Sequence, residues 1–287
     1  MKSAIKIISN YPQLVAKTIF GLIGVLSFFG EISAAHAQAT FTTNFSTDSW
    51  DSDFDRAYQA NGTSTSWNST TQQLSTSGTG TQNTIFNTTA TGGSGGSGGS
   101  GVGTLDNNTY SGGVLVSAGF EMSPTAGTSI GIWSNMNSAG SSGYLSLLNF
   151  TSSTTAELRI FSDTSNPGTN VLGTALATQN FTLSLSASTF YQVALDETVS
   201  GSNVTLDLSL LNQAGTSTLA TLSYTDSGSS DLSGQVGFRL ASTPIILDAI
   251  DIQAVPEPPI AVLLLMGMAT ILFFRAKLSN RLGWSVE

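Results

Sequence analysis

The 287-residue chain contains no cysteine and a single histidine, His36. Disulfide bonds, thiol nucleophiles and zinc–thiolate sites are therefore excluded, and the usual catalytic triads and imidazole metal sites lose their base or ligand. Basic residues are also scarce, since nine Lys and Arg stand against eighteen Asp and Glu and give a formal net charge of −9 at pH 7. Because so acidic a chain repels phosphates, we predict that it binds no nucleic acid.

The N-terminal segment 1–37 has the layout of a secretory signal peptide. Lysines precede the apolar run 19–29, and Ala35 and Ala37 frame the small-residue pattern that follows. This order predicts cleavage after Ala37 and export through the inner membrane, so that His36 leaves with the signal. A retained N-terminal anchor is the alternative, because the basic region is long.

The C-terminal segment 255–287 combines a proline motif, an apolar run and a basic cluster. The motif is Val255, Pro256, Glu257 and Pro258, and the basic cluster is Arg275, Lys277 and Arg281. Between them, the apolar run 260–274 predicts a transmembrane helix whose flanking cations stay on the cytoplasmic side. Its 15 residues make a helix of about 22 Å, shorter than the roughly 30 Å hydrocarbon core, so the cations must reach up to the headgroups.

This order of motif, apolar helix and basic cluster resembles the PEP-CTERM sorting signal of Gram-negative envelope proteins. The resemblance covers about the last 30 residues, and residues 282–287 depart from it. It implies that an exosortase, a membrane-embedded cysteine transpeptidase, removes the tail and passes the protein to the cell surface or extracellular matrix. A permanent single-span anchor is the alternative.

Residues 38–254 show a hydrophobic period of two, which is typical of strands. The pattern is clearest in 204–210, and the turn Gly201-Ser202-Asn203 predicts a hairpin between this strand and 190–195. Because short strands separated by Gly, Asn, Asp and Ser fill the span, we predict an all-β antiparallel sandwich. Further predicted strands are 41–45, 84–87, 114–122, 130–135, 144–150, 156–162, 181–185, 219–224, 235–240 and 245–252.

A run rich in glycine and serine, 92–103, interrupts this pattern. Its residues have no side chains able to pack, so we predict a flexible surface loop inside one domain of residues 38–254. The alternative is a boundary between two domains, but the residues before the run contain few aliphatic side chains for a core of their own.

The strand order resembles that of the concanavalin A-like or laminin-G-like jelly rolls that often precede PEP-CTERM tails. The residues that carry this resemblance are 119–122 with 131–133, 190–193, 237–239 and 246–252. The resemblance implies a jelly-roll ectodomain. Lectins, carbohydrate-binding modules and glucan hydrolases all belong to this fold group, so it implies no single activity.

Glycoside hydrolysis requires two carboxylates on either side of the scissile bond. The glucanases of the fold group place two glutamates and an aspartate on one face of a strand. Here Glu121 and Glu157 stand alone in their strands, while the adjacent Asp196 and Glu197 point to opposite faces. We therefore predict solvated strand charges, no catalytic residue and a protein that is not an enzyme. The segment 225–228 is predicted to be a turn.

Two sets of residues are candidates for binding. Asp48, Asp51 and Asp53 alternate along the chain and, if the first and last strands lie side by side, Asp248 joins them as a structural calcium ligand. A solvated strand edge balanced by Arg56 is the alternative. No other cofactor is predicted.

Aromatic residues form the second set. Trp50 and Trp67 lie in polar, turn-rich sequence and are candidates for stacking on a sugar ring, whereas Trp133 lies in an apolar strand and is predicted to be core. We thus expect an exported surface or matrix protein with a noncatalytic interaction module. A lectin-like module that binds an extracellular polysaccharide is the alternative.

Overall fold

The computed structural model describes residues 40–48, 54–60, 63–78, 80–86, 109–137, 141–183, 185–186, 188–242 and 244–255. These residues belong to one compact unit. The predicted signal peptide, the Gly/Ser run 92–103 and the sorting tail from Pro256 onward lie outside them, so those predictions stay predictions. Within the described ranges, no helix has the length and apolar character needed to cross a membrane.

The described part of the chain is built from β-strands. They are β1 Phe41–Thr43, β2 Phe54–Gln59, β3 Ser64–Asn68, β4 Gln73–Ser77, β5 Thr81–Phe86, β6 Gly113–Met122, β7 Ser129–Met136, β8 Tyr144–Phe150, β9 Thr155–Phe161, β10 Ala175–Thr182, β11 Tyr191–Ser200, β12 Asn203–Asn212, β13 Thr218–Ser227, β14 Gln235–Ala241 and β15 Ile245–Ala254.

The strands form two antiparallel sheets that pack as a sandwich, as predicted. Sheet A has the order β13-β12-β11-β6-β15-β4-β3, and β1 also pairs with β15. Sheet B has the order β10-β9-β8-β7-β14-β5-β2. Phe41 of β1 lies opposite Ile252 of β15, so the first and last strands are side by side. Strands on both sides of the Gly/Ser run share these sheets, since β5 pairs with β14 and β4 with β15.

The predicted hairpin between β11 and β12 is confirmed. Ser200 pairs with Asn203, so Gly201 and Ser202 form a two-residue turn. Gly201 has φ +62°, which the first central position of a type II′ turn requires and glycine adopts without strain.

The main core lies between the two sheets. Val204, Leu206, Leu208 and Leu210 of β12 are each 0 % exposed and alternate with outward polar residues, which explains the period of two in the sequence. Full burial of each such side chain contributes about 1.5–3 kcal/mol. A second apolar cluster covers the outer face of sheet B and consists of Trp133, Met136, Leu145, Leu147 and Phe161, with Leu172 packed against it. The core position predicted for Trp133 is therefore confirmed, in this second cluster.

Several local predictions are wrong. Strands β2, β3 and β4 were not predicted, because β3 and β4 consist mostly of Ser, Thr, Gln and Asn and show little hydrophobic alternation. The strand predicted at 181–185 is β10, which begins at Ala175. The turn predicted at 225–228 is the end of β13, and only Gly228, with φ +84°, lies in the turn.

Two glycines with positive φ differ in how closely other atoms approach them. Gly113 begins β6 with φ +109°, and a Cβ there would lie 2.1 Å from the carbonyl oxygen of Glu197. Gly127 has φ +89°, but a Cβ there would meet no atom within 4 Å. Both positions favour glycine for its dihedral angles, whereas only Gly113 also requires the absence of a side chain.

We expect Gly127→Ala to lower the free energy of unfolding by about 1 kcal/mol, the cost of a left-handed alanine. Gly113→Ala should cost about 3 kcal/mol or more, because the backbone of β11 must also move. Urea unfolding followed by tryptophan fluorescence measures both values. Equal losses for the two variants would contradict the close approach of β6 and β11.

Candidate binding groove

An open groove crosses the outer face of sheet A. It spans β12, β11, β6 and β15 and has a volume of about 380 Å³. Its polar side chains are Asp196, Asp207, Asp251, Ser117, Ser209 and Gln253, and Leu115 provides an apolar surface that is 40 % exposed. The groove therefore combines hydrogen-bonding groups with apolar contacts, to which Leu211 and Ala194 also contribute.

The register of the strands brings these residues together. Asp196 of β11 lies directly opposite Asp207 of β12, and on its other side opposite Leu115 of β6. Ser117, two residues along β6, lies opposite Asp251 of β15. Because Leu195 and the other alternate residues of these strands point into the core, the groove residues point outward.

The groove carries uncompensated negative charge. Burial raises the pKa of Asp196, and the neighbouring carboxylate of Asp207 raises it further. Asp251 instead accepts hydrogen bonds from Thr42 Oγ1 at 2.7 Å and Gln253 Nε2 at 2.5 Å. Among the residues described, neither Asp196 nor Asp207 has an ion-pair partner. Like charges directly opposite one another destabilise a sheet, so a ligand that bonds to both carboxylates would relieve this repulsion. Each carboxylate can accept several hydrogen bonds from such a ligand.

The outer face of sheet B is filled at its centre. Trp133 Nε1 donates to Asn83 Oδ1 at 3.2 Å, and Asn83 Nδ2 donates to the carbonyl of Pro167 at 2.8 Å. The connection between β9 and β10, residues 162–174, thus lies over this face. On β8 the outward side chains are Leu145, Leu147 and Asn149, so this strand presents no carboxylate there.

A polar cluster closes one end of the sandwich. The buried hydroxyl of Tyr144 donates to Asp226 Oδ2 at 2.6 Å and lies 2.8 Å from Ser229 Oγ. Burial, and next the hydrogen bond to Asp226, raise the pKa of Tyr144. Burial also raises the pKa of Asp163, with Asp231 and Asp226 adding to the shift. No pattern in the sequence predicts this cluster, because its members come from separate strands and loops.

Glu197 lies in the core between the sheets. It is 0 % exposed, and neither carboxylate oxygen has a hydrogen-bond partner among the described residues. Burial raises its pKa to about 7, and only the facing Ser134 hydroxyl acts in the opposite direction. The prediction that Asp196 and Glu197 point to opposite faces is confirmed, whereas the prediction that Glu197 is a solvated strand charge is wrong.

The structure describes two of the four candidate calcium ligands, Asp48 and Asp248. Asp51 and Asp53 lie outside the described residues, while Asp48 follows β1. Asp248 is half-buried at a bulge in β15, where burial, and secondarily Glu121, raise its pKa. In the described ranges, no three acidic or histidine side chains come close enough together to hold a metal ion. The calcium site stays a prediction.

Of the two candidate stacking residues, the structure describes only Trp67. Trp50 lies outside the described residues. Trp67 of β3 is half-buried against the core, and its Nε1 donates to the carbonyl of Phe45 at 2.9 Å. Sugar stacking at these positions stays a prediction.

Comparison with known proteins finds similar solved structures but no family. No protein-family model and no curated protein matches the chain. Three similar solved structures are a Bacillus licheniformis beta-glucanase, a carbohydrate binding module from Bacillus subtilis and a Lotus tetragonolobus seed lectin. Their identities are 10 %, 8 % and 11 %, and their TM-scores are 0.46, 0.40 and 0.43. The alignments cover 76 %, 69 % and 77 % of this chain, and 99 %, 92 % and 100 % of the other chains. At these identities the likeness concerns the sandwich alone.

One functional prediction is corrected by this comparison. The chain was predicted not to be an enzyme, but glucanases stand beside lectins among the solved structures that are similar to it. The fold therefore gives no basis for excluding catalysis, and that exclusion is withdrawn.

The buried carboxyl of Glu197 makes stability depend on pH. Because its pKa is raised from 4.5 to about 7 on folding, the folded chain binds the proton more tightly than the unfolded chain. The contribution of Glu197 to stability is then fully present below pH 4.5 and is lost as the pH rises towards 7. At pH values above this window, Glu197→Gln should raise the free energy of unfolding by on the order of 3 kcal/mol.

Urea unfolding across this pH range tests the effect. The wild type should lose stability through the window, and Glu197→Gln should remove most of that slope. The control Glu157→Gln changes a glutamate on the outer face of β9, away from the core, and the loss of stability towards pH 7 should remain. An unchanged slope in Glu197→Gln would show that another group titrates.

Proposed function

We propose that this chain is an exported envelope protein whose sandwich binds a neutral carbohydrate in the groove of sheet A. The observation that supports binding is the carboxylate pair Asp196–Asp207, held side by side in an open groove without an ion-pair partner in the described part. The hydroxyls of a sugar can donate to these carboxylates, and such charge-assisted hydrogen bonds are stronger than those between neutral groups.

The rest of the groove suits the same class of ligand. Its volume of about 380 Å³ falls within the range of small-molecule sites. Leu115 offers an apolar contact for the C–H face of a sugar ring, and Ser117 and Ser209 add hydroxyl donors and acceptors. Three carboxylates repel anions, which favours a neutral sugar over an acidic one.

Export and sorting form the second part of the proposal. The signal-peptide layout of 1–37 and the tail with its motif at 255–258 support an exported chain that an exosortase processes at the membrane. Such a route would bring the sandwich to the cell surface or extracellular matrix, where polysaccharides are abundant.

Groove variants test the binding. A glycan array identifies the ligand, and calorimetry then compares variants. We expect Asp196→Ala and Asp207→Ala each to weaken binding at least about tenfold, the worth of one or more charge-assisted hydrogen bonds. Both changes relieve repulsion between carboxylates, so the variants should remain folded.

The matched control is Thr198→Ala, which changes an exposed residue two positions beyond Asp196 on the same face of β11. It should bind like the wild type. The proposal fails if no glycan is retained, or if both aspartate variants bind as tightly as the wild type.

Intact-mass measurement of surface and released protein tests the sorting. We expect the mature chain to end near the motif at 255–258 and to lack the apolar run 260–274, because the tail is removed after membrane insertion. Replacing Pro256, Glu257 and Pro258 with alanine should leave the full-length chain in the membrane. Finding the complete C-terminus on all surface protein would overturn processing.

A further inference from the structure

The two cations whose side chains the structure describes lie on the same face. Arg159 of β9 and Arg239 of β14 both project from the outer face of sheet B. Arg159 has partners, since its Nη1 lies 3.4 Å from Glu157 Oε1 and its guanidinium lies 4.6 Å from the centre of the Phe161 ring. Arg239 has no comparable partner.

Arg239 occupies the middle of sheet B. It lies opposite Gly131 of β7 and Asn83 of β5, and it points outward because its neighbours Phe238 and Leu240 point into the core. It is 8 % exposed, so the guanidinium lies just below the outer surface. The exposed fraction keeps the side chain in contact with solvent.

The guanidinium is nearly unsatisfied. Its Nη1 donates to Ser129 Oγ at 2.7 Å, while Nε has no acceptor within the described ranges. No carboxylate of the described residues forms an ion pair with it. Burial lowers its pKa to about 10, so it remains protonated at neutral pH. A buried charge without a counter-ion is costly, which makes this position a strong point of attraction for an anion.

The amide of Asn83 lies beside Arg239 in the sheet and is itself hydrogen-bonded. Asn83, opposite Arg239 in the ladder, directs its Nδ2 to the carbonyl of Pro167 at 2.8 Å and lies 3.4 Å from Asn170 Oδ1. These acceptors belong to the connection between β9 and β10.

We infer that Arg239 anchors a second ligand site, on the outer face of sheet B, that binds a carboxylate group. A planar guanidinium binds a carboxylate through two parallel N–H···O bonds, and Arg239 has the free donors for this. The carboxylate can come from an acidic sugar of a polysaccharide or from a small free acid. This site is independent of the groove in sheet A.

The acidity of the whole chain does not oppose this site. The groove carboxylates lie on the outer face of the other sheet, and stacked sheets are about 10 Å apart. Charges on opposite outer faces are therefore separated by more than the screening length of about 8 Å at physiological ionic strength. On the outer face of sheet B, Glu157 is already bonded to Asn149 and Arg159.

Calorimetry with the full chain in detergent tests the site, using oligogalacturonate as probe and its methyl ester as control. The wild type should bind the free acid and not the ester. Arg239→Gln should weaken binding at least about tenfold, since a charged pair is lost, and Arg239→Lys should restore part of it. Arg159→Gln, at the cation that already has a partner, should bind like the wild type.

Thermal unfolding of the wild type keeps the test independent of how the variants fold. Oligogalacturonate should raise the melting temperature and the methyl ester should not, because only a ligand of the folded state stabilises it. A similar rise with monomeric galacturonate supports the carboxylate site and assigns it to a small acid. A rise with oligogalacturonate alone assigns it to a polysaccharide.

Other results overturn the inference. Equal binding of acid and ester, or no binding of either, would show that no carboxylate site exists. If Arg159→Gln and Arg239→Gln weakened oligogalacturonate binding equally, the binding would result from general electrostatic attraction and not from a site at Arg239. Asp207→Ala should leave oligogalacturonate binding unchanged, so failure here and failure of the groove proposal are distinguishable.

Discussion

The packing of sheet A against sheet B is the constraint on which the described part of the molecule depends. The chain has no cysteine, so no disulfide limits the unfolded state, and stability must come from apolar burial. Alternation along each strand sends one set of side chains into this core and the other set outward. The single exception of consequence is Glu197, a carboxyl within the core whose burial destabilises the charged form.

The two outer faces have different roles because of what covers them. The outer face of sheet A is open and carries short hydroxyl and carboxylate side chains, which leave the groove accessible. On sheet B, the cluster around Trp133 and the connection 162–174 fill the central part of the outer face. One sandwich thus presents an exposed acidic surface and, on its other side, a cation held beneath a polar turn. The two outer faces therefore differ in the charge that they carry.

The parts of the fold that could be predicted are those in which hydrophobic alternation is strong. The β12 pattern and the Gly201 turn determine a hairpin from local sequence alone, and the all-β class follows from many such segments. Strands β3 and β4 could not be predicted from hydrophobic alternation, because most of their side chains are polar. The groove could not be predicted, since it requires knowing that Ser117 meets Asp251 across strands distant in sequence. The sequence indicated that Glu197 and Asp196 point to opposite faces of their strand. It did not indicate that the face of Glu197 is the buried one.

The position of β15 has a mechanical consequence. This last strand is flanked by β6 on one side and by β1 and β4 on the other, and Val255 N still donates to the carbonyl of Gly113 at 3.1 Å. A tensile load applied beyond Val255 acts along the strand, so the ladder with β6 resists it in shear and its hydrogen bonds must fail together. An edge strand would instead be peeled away one bond at a time. A chain held by its C-terminus against flow would therefore be tethered through a strong attachment point of the sandwich.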